Sequence, residues 1–125
     1  MKEVPDVESD EALRLEYKKL EYAFIKRFGK KPAPEAMLLL IGYQESPLVK
    51  HSQSKEEKLD LINLGLLTVL SLLGFFRRRN GENGWPAFDP LNKIADGDRE
   101  QLIRKGMVLY FRESGLLEPA ATAQK

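Results

Sequence analysis

From Leu61 to Phe76 the chain runs sixteen positions with only Asn63, Thr68 and Ser71 as polar side chains, and no other segment restricts the fold so tightly. Such a run needs cover over nearly its whole circumference, so it is either the centre of a helical core or a membrane span. A span takes ~20 apolar residues to cross the hydrocarbon layer, and this run falls short. On a helical wheel Glu57, Asp60, Thr68 and Ser71 lie within roughly 80° of one another. A narrow polar stripe on an otherwise apolar cylinder describes the central helix of a small soluble bundle. Gly65, Thr68, Ser71 and Gly74 recur at every third position and offer a groove where another helix can approach closely.

The ends of this helix carry signals of their own. Ser54 followed by Glu57 is a capping-box pattern: the hydroxyl accepts from the N3 amide and the carboxylate from the cap amide. Glu56 and Glu57 fall in the first turn, where the helix dipole favours carboxylates, and Arg77, Arg78 and Arg79 where it favours cations. The charge order predicts one helix from Lys55 to about Arg78.

The rest of the chain also reads as helical. Leu13, Tyr17, Leu20, Phe24 and Phe28 repeat on one face of a helix from Asp10 to Phe28, capped by Ser9 or Asp10 and stopped by Gly29. Lys30, Lys31, Pro32 and Ala33 form a stiff connector, and Pro34 opens a second helix carrying Met37, Leu38, Leu40, Ile41 and Gln44, closed by Pro47. Asn80 to Gly84 is turn chemistry, and Trp85, Pro86, Phe88, Pro90 and Leu91 form an irregular apolar loop. Asp98 with Gln101 starts the last helix, bearing Leu102, Ile103, Met107, Tyr110 and Phe111, and Gly115 with Leu116 ends it as a Schellman stop. No strand with an alternating pattern is visible. The expected fold is all-α: a single-domain, four-helix bundle-like fold with a central apolar third helix and a long Trp-containing loop before the last one.

The chain has 125 residues, enough for one domain with a real core, and residues 1–9 and 118–125 are expected to be flexible termini. Twenty basic residues against nineteen acidic ones leave a formal charge of +1, so the global charge points to no polyanion partner. No cysteine is present, which excludes a disulfide framework, a thiol nucleophile and a thiolate metal site. The acidic start, Met1 to Asp10, has no apolar signal-peptide region, so the expected compartment is the cytoplasm and no membrane partner is expected.

Four segments carry a resemblance: Phe28 to Pro32 (FGKKP), Leu39 to Glu45 (LLIGYQE), Ser54 to Leu61 (SKEEKLDL) and Gly84 to Pro86 (GWP). Together they resemble a family of small uncharacterised bacterial proteins, over roughly Leu13 to Phe111. The resemblance implies a discrete cytoplasmic bacterial domain and no particular chemistry.

Several chemistries can be weighed against the residues. His51 is the only histidine, which excludes a two-histidine zinc motif and disfavours a di-iron centre, and its polar loop suits a solvated side chain. Gly81 to Gly84 lacks the Lys-Ser/Thr of a phosphate loop, and no Gly-x-Ser-x-Gly elbow occurs. A hairpin of the second and third helices would bring Tyr43, Glu45, Glu57 and Asp60 to one end of the bundle. If the loop bearing Trp85 folded over them, they would form a small polar pocket with an aromatic wall. The simpler account of Asp60 is a lysine partner or a capped amide. Lys26, Arg27, Lys30 and Lys31 form one basic cluster and Arg77, Arg78 and Arg79 another, each after a helix end where cations are favoured locally. Side by side they would hold phosphate oxygens. Trp85 closes the core or anchors a partner.

Two functions survive this reading. The first is a non-catalytic helical protein-interaction module, meeting a protein partner or itself as a homodimer through surplus apolar surface on the third helix or the Trp85 loop. The second is a small-ligand or metal-binding protein, or an enzyme, using the carboxylates at one bundle end. No resident cofactor or metal is expected.

Overall fold

The structure, a computed structural model, describes residues 10–47 and 54–115. The expectations for His51, Leu116 and the flexible termini lie outside the described residues. The elements are α1 (Asp10–Phe28), α2 (Pro34–Glu45), α3 (Lys55–Leu72), β1 (Phe76–Asn80), β2 (Pro86–Pro90) and α4 (Arg99–Ser114). Short 3-10 turns span Glu82–Gly84 and Asp96–Asp98. The protein is thus mostly helical with four helices, but not all-α: β1 and β2 pair as an antiparallel hairpin. Among the described residues no helix is long and apolar enough to cross a membrane.

Helix α3 is central, as its apolar run requires. Leu61 and Val69 are fully buried, and Leu64, Thr68 and Leu70 nearly so. Its approach to α2 is set by two glycines. A Cβ on Gly42 would run into the Leu61 carbonyl, and one on Gly65 into the Leu38 carbonyl, so the helices run antiparallel with backbones in near contact. Gly106 gives α4 a similar seat, since a Cβ there would meet Val69 at 2.8 Å. The small-residue groove on α3 is therefore used at Gly65. Helix α1 packs chiefly on α4 through Leu13, Tyr17, Leu20 and Phe24, where the Phe24 and Phe111 rings meet edge to face at 5.3 Å. Met37, Ile41, Leu61, Val69 and Met107 are the largest fully buried side chains, each contributing about 1.5–3 kcal/mol by leaving water.

The helix starts follow their signals unevenly. The Glu57 amide donates to Ser54 Oγ at 3.1 Å and the Ser54 amide to Glu57 Oε1 at 3.0 Å, completing the capping box. Pro34 occupies the first turn of α2. The box expected at Asp98 does not form, because Asp98 already closes a 3-10 turn, its own amide bonded to the Ala95 carbonyl and its side chain making no cap bond.

The predicted end of the third helix is also corrected. Helix α3 stops at Leu72 in a Schellman motif: Gly74 has φ +90°, its amide donates to the Ser71 carbonyl at 3.0 Å, and the Phe75 amide to the Leu70 carbonyl at 3.1 Å. Arg77, Arg78 and Arg79 consequently lie on β1 and not at a helix end. The dipole benefit to exposed cations is only about 0.3–1 kcal/mol, comparable to the penalty for carrying glycine inside a helix. Turning the chain at Gly74 also lets Phe75 and Phe76 pack against the core.

The segment expected to be an irregular loop is therefore the second strand. In the register Phe76↔Pro90, Arg78↔Phe88 and Asn80↔Pro86, one hairpin face carries Phe76, Arg78, Pro86 and Phe88 toward α3, and the other carries Arg77, Arg79 and Asp89. Asn83 (φ 57°) and Gly84 (φ 84°) supply the left-handed pair that reverses the chain.

Candidate functional site

Folding distributes the expected pocket residues over different cavities. Glu45, at the last turn of α2, accepts from Arg78 Nη1 on Oε1 at 2.7 Å and from the Tyr110 hydroxyl on Oε2 at 2.7 Å. This node joins α2, β1 and α4, and it faces a polar cavity of about 530 Å³ that Gln44, Thr68, Ser71 and Glu113 also line. The stripe residues Thr68 and Ser71 turn their own protons inward to the Leu64 and Thr68 carbonyls, both at 2.7 Å. Burial pushes the Tyr110 phenol far above its ordinary range, and the bond to Glu45 and the negative charge of Glu45 push the same way against the pull of Arg78. Tyr110 is therefore a fixed donor, and Glu45 accepts one hydrogen bond on each oxygen. The arrangement clamps α2, β1 and α4 together.

Asp60 and Trp85 do meet, in a cleft of about 230 Å³ between α3 and the hairpin with Asn63, Leu64, Leu67 and Phe88. Trp85 is half-buried there and takes no part in the central core cluster. Glu57 is committed to its cap, and Tyr43 lines a third cavity. Among the described residues no group of three or more His, Asp or Glu side chains could hold a metal ion.

The residues of the two basic clusters do not converge: Lys30, Lys31 and Arg78 each line a different cavity. Arg78 holds Glu45, while Arg79 and Arg77 converge on Asp89 Oδ2 at 2.9 and 3.4 Å. The hydrogen bond from Arg79 leads in holding the Asp89 carboxyl below its usual range, opposed by slight burial and reinforced by Arg77. Each arginine of β1 is thus matched to a carboxylate, which weakens its call on phosphate. Lys26 sits over the Tyr22 ring at 5.7 Å, and Lys31 shares a cleft with Glu21 and Arg104. Lys30 is different: it lines the cavity to which Tyr43 belongs.

That cavity is the apolar one. Helix α2 is apolar on two sides: Met37, Leu38, Ile41 and Gly42 are buried on the side of α3, and Ala36, Leu39, Leu40 and Tyr43 follow at i, i+3, i+4 and i+7 on another. The second face floors a groove of about 410 Å³ running roughly 10 Å along α2. Phe24 and Phe28 of α1 form its wall, their rings 5.4 Å apart, and Lys30 and Pro32 of the connector close the end nearest the start of α2. Phe28 is 55% exposed, and neighbouring Ile25 and Tyr22 are exposed as well.

Read from the sequence, Tyr110, Phe28 and Leu40 count among the apolar residues of their helices, and neither the clamp nor the groove is foreseen. A signal was present in each case. A phenol on a core face needs a hydrogen-bond partner, and a helix apolar on two sides needs cover on both. Comparisons with protein-family models, with curated proteins and with solved structures each find no match to this chain.

Proposed function

We propose that the protein is a non-catalytic helical interaction module that receives a helical segment of a partner protein in the groove between α1 and α2. The observation that carries this reading is the second apolar face of α2, which the described residues leave partly open although an apolar helix face is ordinarily covered. The i, i+3, i+4, i+7 spacing of Ala36, Leu39, Leu40 and Tyr43 is the pattern by which one helix packs on another. An open groove with half-exposed Phe28 suits an occupant that buries one face, as a helix does, better than a small molecule that must bury most of its surface.

Methyl-labelled NMR tests the reading with an amphipathic Leu/Ala/Gln peptide as the probe. Saturable shifts at the Ala36, Leu39 and Leu40 methyls, with Val69 unmoved, are expected, and Leu39→Asp should remove them. Titration to saturation of the solvent limit without movement at these methyls would overturn it.

A further inference from the structure

The groove is not uniformly apolar, and its one charged wall says what kind of helix it takes. Lys30 lines the end nearest the start of α2, and among the described residues it has no ion-pair or hydrogen-bond partner. Lys26 lies over the Tyr22 ring and Lys31 lines the cleft of Glu21 and Arg104, so Lys30 is the cation that lines this groove, and the N-terminus of α2 adds the positive end of its dipole. Glu35 in the first turn of α2 is the acidic residue nearest Lys30 in sequence, and it does not line the groove. At the far end of the groove stands Tyr43, uncharged.

We propose that the occupant is an acidic amphipathic helix of a partner protein, its apolar side chains against Phe28, Leu39 and Leu40 and its carboxylates at Lys30. This rests on the interaction-module reading and adds the partner's charge and its placement. Apolar anchors spaced i, i+4, i+7 span the groove's length, and acidic residues one turn beyond the terminal anchor reach the cationic end. Fixing charge at one end gives the complex a single direction, which apolar contacts alone do not.

Fluorescence anisotropy with two labelled synthetic helices decides it. Both carry Leu at i, i+4 and i+7, and they differ only in having Glu or Lys at the position that meets Lys30. The Glu peptide should bind about tenfold more tightly at low salt, since the exchange replaces one exposed ion pair by one like-charge contact, and the margin should shrink as salt is added. Lys30→Glu, on an exposed side chain that the fold does not use, should reverse the preference, and Phe28→Asp should abolish binding of both peptides. Equal binding of the two peptides would overturn the charge assignment and leave the module reading intact. Failure of both peptides while dodecanoate binds would overturn both readings in favour of an acyl ligand. A concentration-dependent dimer that Phe28→Asp dissociates would overturn the acidic partner by showing a second copy in the groove.

Discussion

The Tyr110 hydroxyl donates to Glu45 Oε2 at 2.7 Å across sixty-five positions of sequence, while Arg78 holds the other oxygen. One carboxylate thereby fixes the end of α2, the first strand and α4 in a single geometry, and α2 is the helix whose other face floors the groove.

Tyr110→Phe keeps the ring packing and removes the donor. The expected loss is about 1.5–3 kcal/mol, the range for a hydrogen bond to a charged acceptor, read as a lower urea midpoint at unchanged slope. The variant also changes the base limb. Because burial and Glu45 raise the folded-state pKa of Tyr110, its contribution is complete below the unfolded value near 10 and is lost as pH rises beyond it. Wild-type stability should therefore fall more steeply than that of Tyr110→Phe above about pH 10. Parallel curves would mean the phenol ionises as freely in the folded protein as in the unfolded one.

Asp89 makes the opposite prediction on the acid side. Its pKa is lowered in the folded protein, first by the hydrogen bond from Arg79, so the pairing supports the hairpin above the ordinary carboxylate value and is lost as pH falls through the lowered one. Carboxyl carbon NMR should show Asp89 titrating below the usual range. Arg79→Ala should bring it back further than Arg77→Ala, since the Arg79 contact is 2.9 Å and the Arg77 contact 3.4 Å. An equal return in both variants would contradict that ranking.

Gly42→Ala and Gly65→Ala test the α2–α3 contact. Each new methyl would enter a backbone carbonyl of the facing helix, so the helices must separate, and a loss of about 2–3 kcal/mol is expected despite alanine's better helix propensity. Gly97→Ala, where a Cβ meets nothing within 4 Å, should change stability by less than about 0.5 kcal/mol. Denaturant titration of the three variants separates the outcomes, and a neutral Gly42→Ala would mean that the helices are not in backbone contact.

The helical part of this fold was legible because its signals are local. Ser54 with Glu57, Pro34 at a helix start and Gly29 at a helix stop each act within one turn of chain, and the apolar run that begins at Leu61 marks the core helix whatever surrounds it. The hairpin was illegible for a matching reason. Phe76 to Asn80 shows no alternation of apolar and polar residues, because its inner face is filled partly by Arg78, whose partner Glu45 lies on a helix thirty-three positions away. Pro86 and Pro90 further argue against a strand, and a two-stranded hairpin tolerates them because no third strand needs their amides. The sequence could not show which cavity each carboxylate meets: Glu45 and Asp60 lie near facing helix ends, yet they line different cavities.

Gly74 is where the two readings of the chain divide, and Gly74→Ala tests the division. With φ +90° this residue sits in the left-handed region, so an L-alanine there is strained by about 1–2 kcal/mol while the backbone keeps its course. Continuing α3 to Arg78 would relieve that strain, but it would break the Schellman bonds, withdraw Phe75 and Phe76 from the core and pull Arg78 off Glu45. Those losses exceed the relief, so the variant should keep the hairpin and be less stable by about 1–2 kcal/mol. Hydrogen exchange should quicken at Leu91, whose amide bonds to the Phe75 carbonyl at 2.9 Å, and stay slow through the middle of α3. A D-alanine introduced at the same position by ligation is at ease at positive φ and should stabilise the fold by restricting the unfolded chain. A gain in helical circular dichroism for the L-alanine variant, with loss of the hairpin's exchange protection, would show instead that the arginines belong to the helix and that glycine alone keeps them out of it.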